Sequence, residues 1–208
     1  MVKIKICGIT NLKDAVGISK LRPDALGFVF YKKSPRYITP DEAKEIIHHI
    51  PSVIKKVGVF VNAKGKDIKN IAQDLKLDML QFHGDESPEF CKKFKNYRII
   101  KVFRIKDKID RKKLLSYKVF AYLLDSFAEL GFGGTGRKFD WKLISGLDDI
   151  RCPVILSGGL TAGNVRKAIK QAKPQWVDVA SSVESKPGKK DYRKVVKFIK
   201  AAKGRGEI

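Results

Sequence analysis

Residues able to do chemistry fall at the ends of short apolar runs. A thiol closes the first run, in Cys7-Gly8-Ile9-Thr10. An imidazole closes the fourth, in Gln81-Phe82-His83-Gly84, and a carboxylate closes the sixth, in Leu124-Asp125-Ser126. Two later runs end in Ser157-Gly158-Gly159 and Ala180-Ser181-Ser182. A glycine pair lets backbone N–H groups approach an anion closely, and serines beside it add donors, so Gly158, Gly159, Ser181 and Ser182 read together as a phosphate cradle. Taken singly, each feature has a plainer reading. The glycine pair is a tight turn, Cys7 a small buried apolar side chain, Asp125 a cap or loop salt bridge, and His83 a hydrogen-bonded structural histidine.

The elements that must position these groups alternate from end to end. Strand candidates are 3–7, 24–30, 55–61, 79–83, 98–104, 119–125, 153–157 and 176–180, with helices near 12–20, 40–49, 65–75, 87–95, 108–115, 139–146, 162–172 and 191–202. Thr39-Pro40 and Ser87-Pro88 each give a cap followed by proline at the first helical position. Eight strand–helix repeats in 208 residues allow an open doubly wound sheet or a closed barrel, and the number eight favours closure: an α/β chain folded as one (β/α)8 TIM barrel of parallel strands, a single catalytic domain spanning 1–208. In that architecture the carboxyl ends of the strands form the active face, and the loops after the seventh and eighth strands commonly bind phosphate.

A literal G-x-G-x-x-G occurs in Gly131-Phe132-Gly133-Gly134-Thr135-Gly136. It lies several residues beyond its strand and is followed by Arg137-Lys138 with no acidic residue about 20 positions on, so it reads as a mobile loop over the active face and not as a dinucleotide site. Cys7, Cys91 and Cys152 form no C-x-x-C pair and have only three histidines to join them, which predicts reduced thiols and no metal. Cys91 and Cys152 are assigned to packing. The longest apolar run, Ala25 to Tyr31, is far too short to span a bilayer, and no secretory apolar segment follows Lys3 and Lys5. A cytoplasmic protein without a membrane partner is expected.

Seven motifs in order resemble those of the phosphoribosylanthranilate isomerase family. They are Lys5-Ile6-Cys7-Gly8-Ile9-Thr10; Gly27-Phe28-Val29-Phe30 followed by Ser34-Pro35-Arg36-Tyr37-Ile38; Gln81-Phe82-His83-Gly84; Leu124-Asp125; Gly133-Gly134-Thr135-Gly136; Ser157-Gly158-Gly159-Leu160; and Pro187-Gly188-Lys189-Lys190-Asp191. The resemblance implies an Amadori rearrangement of phosphoribosylanthranilate in tryptophan biosynthesis, with no cofactor. It implies Cys7 as general base and Asp125 as general acid, and Arg36 as the residue for the anthranilate carboxylate, which a guanidinium holds through two parallel bonds. His83 is placed at the pocket wall. Asp178 resembles a family aspartate near the substrate, and an acid within a barrel strand is costly unless paired. A cysteine acting as base must ionise near neutral pH, while an aspartate acting as acid must stay partly protonated, so their surroundings have to act oppositely on them.

The sequence departs from the family pattern Asp-Val-Ser-Ser-Gly-Val-Glu at Asp178-Val179-Ala180-Ser181-Ser182-Val183-Glu184. In extended backbone, residues 180 and 182 face the same side, so the Ser182 hydroxyl is expected to replace the one absent at Ala180. If that position instead needs positive φ, Ser182 carries strain. The net charge of +22 raises nucleic-acid binding as an alternative, in a non-catalytic barrel that holds an anion or RNA. The lysines are scattered without an arginine-rich block, which favours a solvated surface. Another sugar-phosphate isomerase of the same barrel group is the nearer alternative; the histidine-biosynthesis member generally has an aspartate where Cys7 stands. The expected partner is the small-molecule substrate, with the chain as a monomer or homodimer and no nucleic acid.

Overall fold

The computed structural model describes residues 1–106, 108–126, 141, 147, 150 and 152–204. Eight parallel strands close into a barrel in chain order: β1 Lys3–Cys7, β2 Ala25–Val29, β3 Lys55–Phe60, β4 Met79–Phe82, β5 Arg98–Ile105, β6 Ala121–Ser126, β7 Val154–Leu156 and β8 Trp176–Val179. Closure is made by β1 and β8, where Lys5 pairs with Asp178 and Ile6 with Val179. Among the described residues the helices are α1 Leu12–Ser19, α2 Pro40–His48, α3 Gly65–Asp74, α4 Pro88–Lys92, α5 Arg111–Leu115, α6 Val165–Ala172 and α7 Tyr192–Ala202. The helix expected at 139–146, the glycine-rich loop at 131–136 and the last four residues lie outside the described residues, apart from Trp141.

Local chemistry sets the helix starts. Thr39 and Glu42 form a reciprocal capping box before Pro40, worth about 1 kcal/mol. Ser87 caps α4 by accepting from the Phe90 N–H. Asp191 accepts from the Lys194 N–H to open α7.

The period-2 alternation of the strands divides the core. Ile4, Ile6, Leu26, Phe28, Leu80, Phe82, Leu124, Leu156 and Val177 point out towards the helices. Ala25, Val57, Met79, Ile100, Val102, Ala121, Leu123, Ile155 and Trp176 fill the barrel interior. Moving two residues along each strand from this plug gives the same inward face at the carboxyl end: Gly27 and Val29 on β2, Val59 on β3, Gln81 on β4, Asp125 on β6 and Asp178 on β8. Fully buried apolar side chains each contribute roughly 1.5–3 kcal/mol, so the plug is a rigid floor beneath the polar layer.

After β8 the chain forms a 3-10 turn, Ser181–Val183, and then a short hairpin, β9 Glu184–Lys186 and β10 Lys189–Lys190. The hairpin is tied to the start of the chain. Thr10 donates to the Gly188 carbonyl, and the Lys190 N–H donates to Asp14 at 2.7 Å.

Candidate active site

Above the apolar plug a cavity opens at the carboxyl ends of the strands. All nine site residues expected from sequence line it: Cys7, Arg36, His83, Asp125, Gly158, Gly159, Asp178, Ser181 and Ser182. Val29, Tyr31, Val59, Val61, Leu160 and Val179 add apolar wall, which suits a planar ring beside polar groups.

Cys7 is buried at the end of β1, and Gly27 on β2 stands opposite it in register. Burial pushes its thiol above the ordinary value, and Asp178 pushes the same way. The ammonium charges of Lys5 and Lys190 pull against this without cancelling it, and the thiol stays above its ordinary value. Lys5 is itself fully buried and donates to Asp178 at 2.8 Å. Burial lowers the Lys5 pKa, but Asp178 and Cys7 outweigh it, so Lys5 is held above its ordinary value and carries its charge. Ser157 completes the arrangement by donating to the other Asp178 oxygen at 3.4 Å. The cost of placing Asp178 inside a barrel strand is thus met by two partners.

Arg36 is held by Glu184. Its Nε donates to Oε1 at 2.9 Å and its Nη2 to Oε2 at 2.7 Å, the two-point geometry of a guanidinium on a carboxylate. Among the described residues Nη1 has no hydrogen-bond partner. Lys190 Nζ also donates to Glu184 at 2.7 Å and to the Ala180 carbonyl at 3.2 Å. Glycine at position 8 makes room for this: its φ is +79°, and a Cβ there would sit 2.6 Å from Arg36 Cδ.

His83 stands between Gln81 and Asp125. Gln81 Nε2 lies 3.3 Å from His83 Nδ1, and His83 Nε2 lies 3.5 Å from Asp125 Oδ2. The second approach is within ion-pair range but makes no hydrogen bond, and among the described residues Nε2 has no hydrogen-bond partner. His83 therefore sits beside the Asp125 carboxyl without a hydrogen bond to it. The loop that carries it is anchored from below. Glu86 accepts from the N–H groups of Asn62 at 2.9 Å and Gly84 at 3.0 Å, and Lys101 donates to Glu86 at 2.9 Å and to the Gly84 carbonyl at 2.7 Å.

Gly158 and Gly159 both take positive φ, at 82° and 65°, which brings the turn after β7 beside the 3-10 turn after β8. The first N–H groups of a helical turn have no partner within it, so the Ser181–Val183 turn presents donors. Residues 180–182 are not extended, because Ala180 has φ −131° and ψ −76° and the turn begins directly after it. Ser182 has no positive φ, and its hydroxyl donates to the Leu160 carbonyl, so it ties the two turns together. The expected same-side replacement of a hydroxyl at Ala180 therefore does not arise in this geometry, and neither does strain at Ser182.

Sequence reading missed Lys5, Glu184, Lys190 and Gln81 as parts of the site. Their signals were present: Lys5 and Gln81 sit two residues before Cys7 and His83 on inward-facing positions, and Glu184 and Lys190 lie within motifs already marked.

Residues 4–201 match the family described as N-(5'-phosphoribosyl)anthranilate (PRA) isomerase. The chain is similar to the N-(5'-phosphoribosyl)anthranilate isomerases of Geobacter sulfurreducens, 46% identical over 98% of this chain and 100% of the relative, and of Caldanaerobacter subterraneus subsp. tengcongensis, 47% identical over 98% and 99%. Its fold superposes on the phosphoribosyl anthranilate isomerase of Thermotoga maritima with a TM-score of 0.90 at 42% identity, covering 98% of this chain and 100% of that one. A further structure, at TM-score 0.87, 42% identity and the same coverages, is of a phosphoribosyl anthranilate isomerase in complex with reduced 1-(o-carboxyphenylamino)-1-deoxyribulose 5-phosphate. With the barrel, its polar rim and these matches all running through the same residues, the chain belongs to the N-(5'-phosphoribosyl)anthranilate isomerase family.

Proposed function

We propose that the chain rearranges N-(5'-phosphoribosyl)anthranilate into 1-(2-carboxyphenylamino)-1-deoxyribulose 5-phosphate, with Asp125 as general acid and Cys7 as general base. The observation that carries this reading is that a thiol, a carboxyl, a guanidinium and two adjacent turns that present backbone donors line one cavity. Asp125 gives its proton to the furanose ring oxygen, the C1′–O bond breaks, and the nitrogen lone pair forms an iminium. The iminium acidifies the C2′ hydrogen, which Cys7 removes as thiolate, and the resulting enolamine tautomerises to the ketone. The proton gained by Cys7 balances the one lost by Asp125, and both groups reset through solvent. No redox partner or metal enters this sequence.

The remaining residues position the substrate. The Nη1 edge of Arg36 takes the anthranilate carboxylate, and the turns at Gly158-Gly159 and Ser181-Ser182 take the phosphate through backbone donors. His83 and Asp178 act at the wall, next to the acid and the base respectively. The chain works as one catalytic unit in the cytoplasm, as a monomer or homodimer. Its +22 charge is a surface property that attracts anionic metabolites. Scattered lysines give RNA little register, so RNA retention should vanish by physiological salt.

The test of this reading is loss of phosphoribosylanthranilate fluorescence on addition of purified protein. Saturable turnover is the expected result. Absence of turnover, with tight salt-resistant RNA binding in its place, would favour the non-catalytic alternative.

A further inference from the structure

The cavity holds a problem that acid–base assignment alone leaves open. A base must lose its proton, yet Cys7 is buried among atoms that favour the neutral thiol. Two features of β1 and β2 bear on this. Lys5 lies two residues before Cys7, so both side chains leave the strand on the inward face. Gly27 is their common neighbour: a Cβ built there would sit 2.8 Å from Cys7 Sγ and 3.2 Å from Lys5 Nζ. The missing side chain at Gly27 is what lets the ammonium and the sulfur share one space.

We propose that Lys5, kept as an ammonium by Asp178, is the positioning residue that allows Cys7 to ionise within the buried site. This rests on the assignment of Cys7 as base. Lys5 sits below the thiol and makes its 2.8 Å bond to Asp178, so it acts through Cys7 and not on the substrate. A buried lysine alone sheds its proton readily, and Asp178 prevents that. Asp178 in turn is held by Ser157 at 3.4 Å. Asp178 opposes the effect of Lys5 on Cys7, and the other cation that bears on the thiol is Lys190, which donates to Glu184 at 2.7 Å beside Arg36. Lys190 is thereby committed to the Arg36 arrangement. Lys5 is the cation on the same strand and face as the thiol, and burial strengthens its effect because little solvent screens it.

The reaction cycle gives this placement a purpose. The proton leaving C2′ moves to sulfur, which removes the thiolate charge and leaves the Lys5–Asp178 pair intact. No proton has to enter or leave the pair itself.

The test measures alkylation of Cys7 by iodoacetamide against pH, resolved at the Cys7 peptide by mass spectrometry so that Cys91 and Cys152 do not contribute. No substrate is present, so the result stands whether or not the isomerase reading survives. In Lys5→Met the alkylation midpoint should rise by at least one pH unit, and Lys5→Arg should recover most of that rise. Because Lys5→Met strands the Asp178 carboxylate, the Lys5→Met/Asp178→Asn double variant, which removes both charges, is also compared with wild type, and a smaller upward displacement is expected because the Lys5 effect on the thiol exceeds that of Asp178. With substrate, Lys5→Met should lower kcat at least tenfold and displace the ascending limb of the pH profile to higher pH, with KM changed less than twofold. An unmoved alkylation midpoint in both comparisons, or a KM increase with kcat and pH profile unaltered, would overturn the proposal.

Discussion

Arg36 and Glu184 meet through two parallel bonds of 2.9 and 2.7 Å across 148 positions of sequence, joining the loop after β2 to the hairpin after β8. Arg36 side-chain exposure is 15% and that of Glu184 is 4%, so the pair is shielded without being closed to the cavity. The guanidinium is thus fixed before any ligand arrives, and its ordering does not have to be supplied by substrate binding.

That arrangement separates two variants. Arg36→Met removes the carboxylate contact and should raise KM by an amount equivalent to about 2–3 kcal/mol, leaving kcat within a few-fold. Glu184→Gln keeps the guanidinium but loosens it, and should raise KM by a smaller factor. Steady-state kinetics with phosphoribosylanthranilate decides this. A KM unchanged in both variants would remove Arg36 from substrate binding.

The same pair sets a pH dependence of stability. Burial raises the Glu184 carboxyl, but the Arg36 hydrogen bonds and the Lys190 charge outweigh it and hold the group below its ordinary value of 4.5. A depressed carboxylate contributes stability that is full above the unfolded value and is lost as pH falls through the folded one. The stability gap between wild type and Glu184→Gln should therefore be constant from pH 7 to about 5.5 and shrink below 4.5. Urea unfolding at several pH values measures it, and a gap that stays constant to pH 3 would contradict the assignment.

Lys101 and Glu86 make a further buried ion pair, with side-chain exposures of 3% and 2%, and together they hold the Gly84 turn that carries His83. Lys101→Met strands the Glu86 carboxylate and should cost roughly 3–5 kcal/mol in urea unfolding. A cost below about 1 kcal/mol, the range of surface pairs, would show that the pair is not structural.

Ser182 offers a test of how the phosphate is held. Its hydroxyl binds the Leu160 carbonyl. Ser182→Ala should therefore lower stability by about 1 kcal/mol while KM changes less than twofold. A several-fold rise in KM without loss of stability would place the hydroxyl on the phosphate.

The barrel was legible because its two periodicities are strong. Alternating β-branched runs and capped amphipathic stretches placed the eight strands within two residues at each end, and Thr39-Pro40 and Ser87-Pro88 placed two helix starts correctly. Cys7, His83 and Asp125 were found because they end strands. Lys5, Glu184 and Lys190 were overlooked because charged residues read by default as solvated, and their burial depends on partners distant in sequence. Lys5 needs Asp178, 173 positions away, before its burial makes sense. The backbone at 180–182 was misjudged for a related reason: strand periodicity was extended past Val179, where the chain instead turns into a helical step.

The central claim is that Cys7 and Asp125 perform the proton transfers, and single-turnover and steady-state assays on Cys7→Ala and Asp125→Asn test it most directly. Each variant should fold as wild type by circular dichroism and bind product with near-normal affinity. Each should lose at least about a hundredfold in kcat, the usual contribution of a positioned acid or base. Wild-type-like turnover by either folded variant would contradict the account.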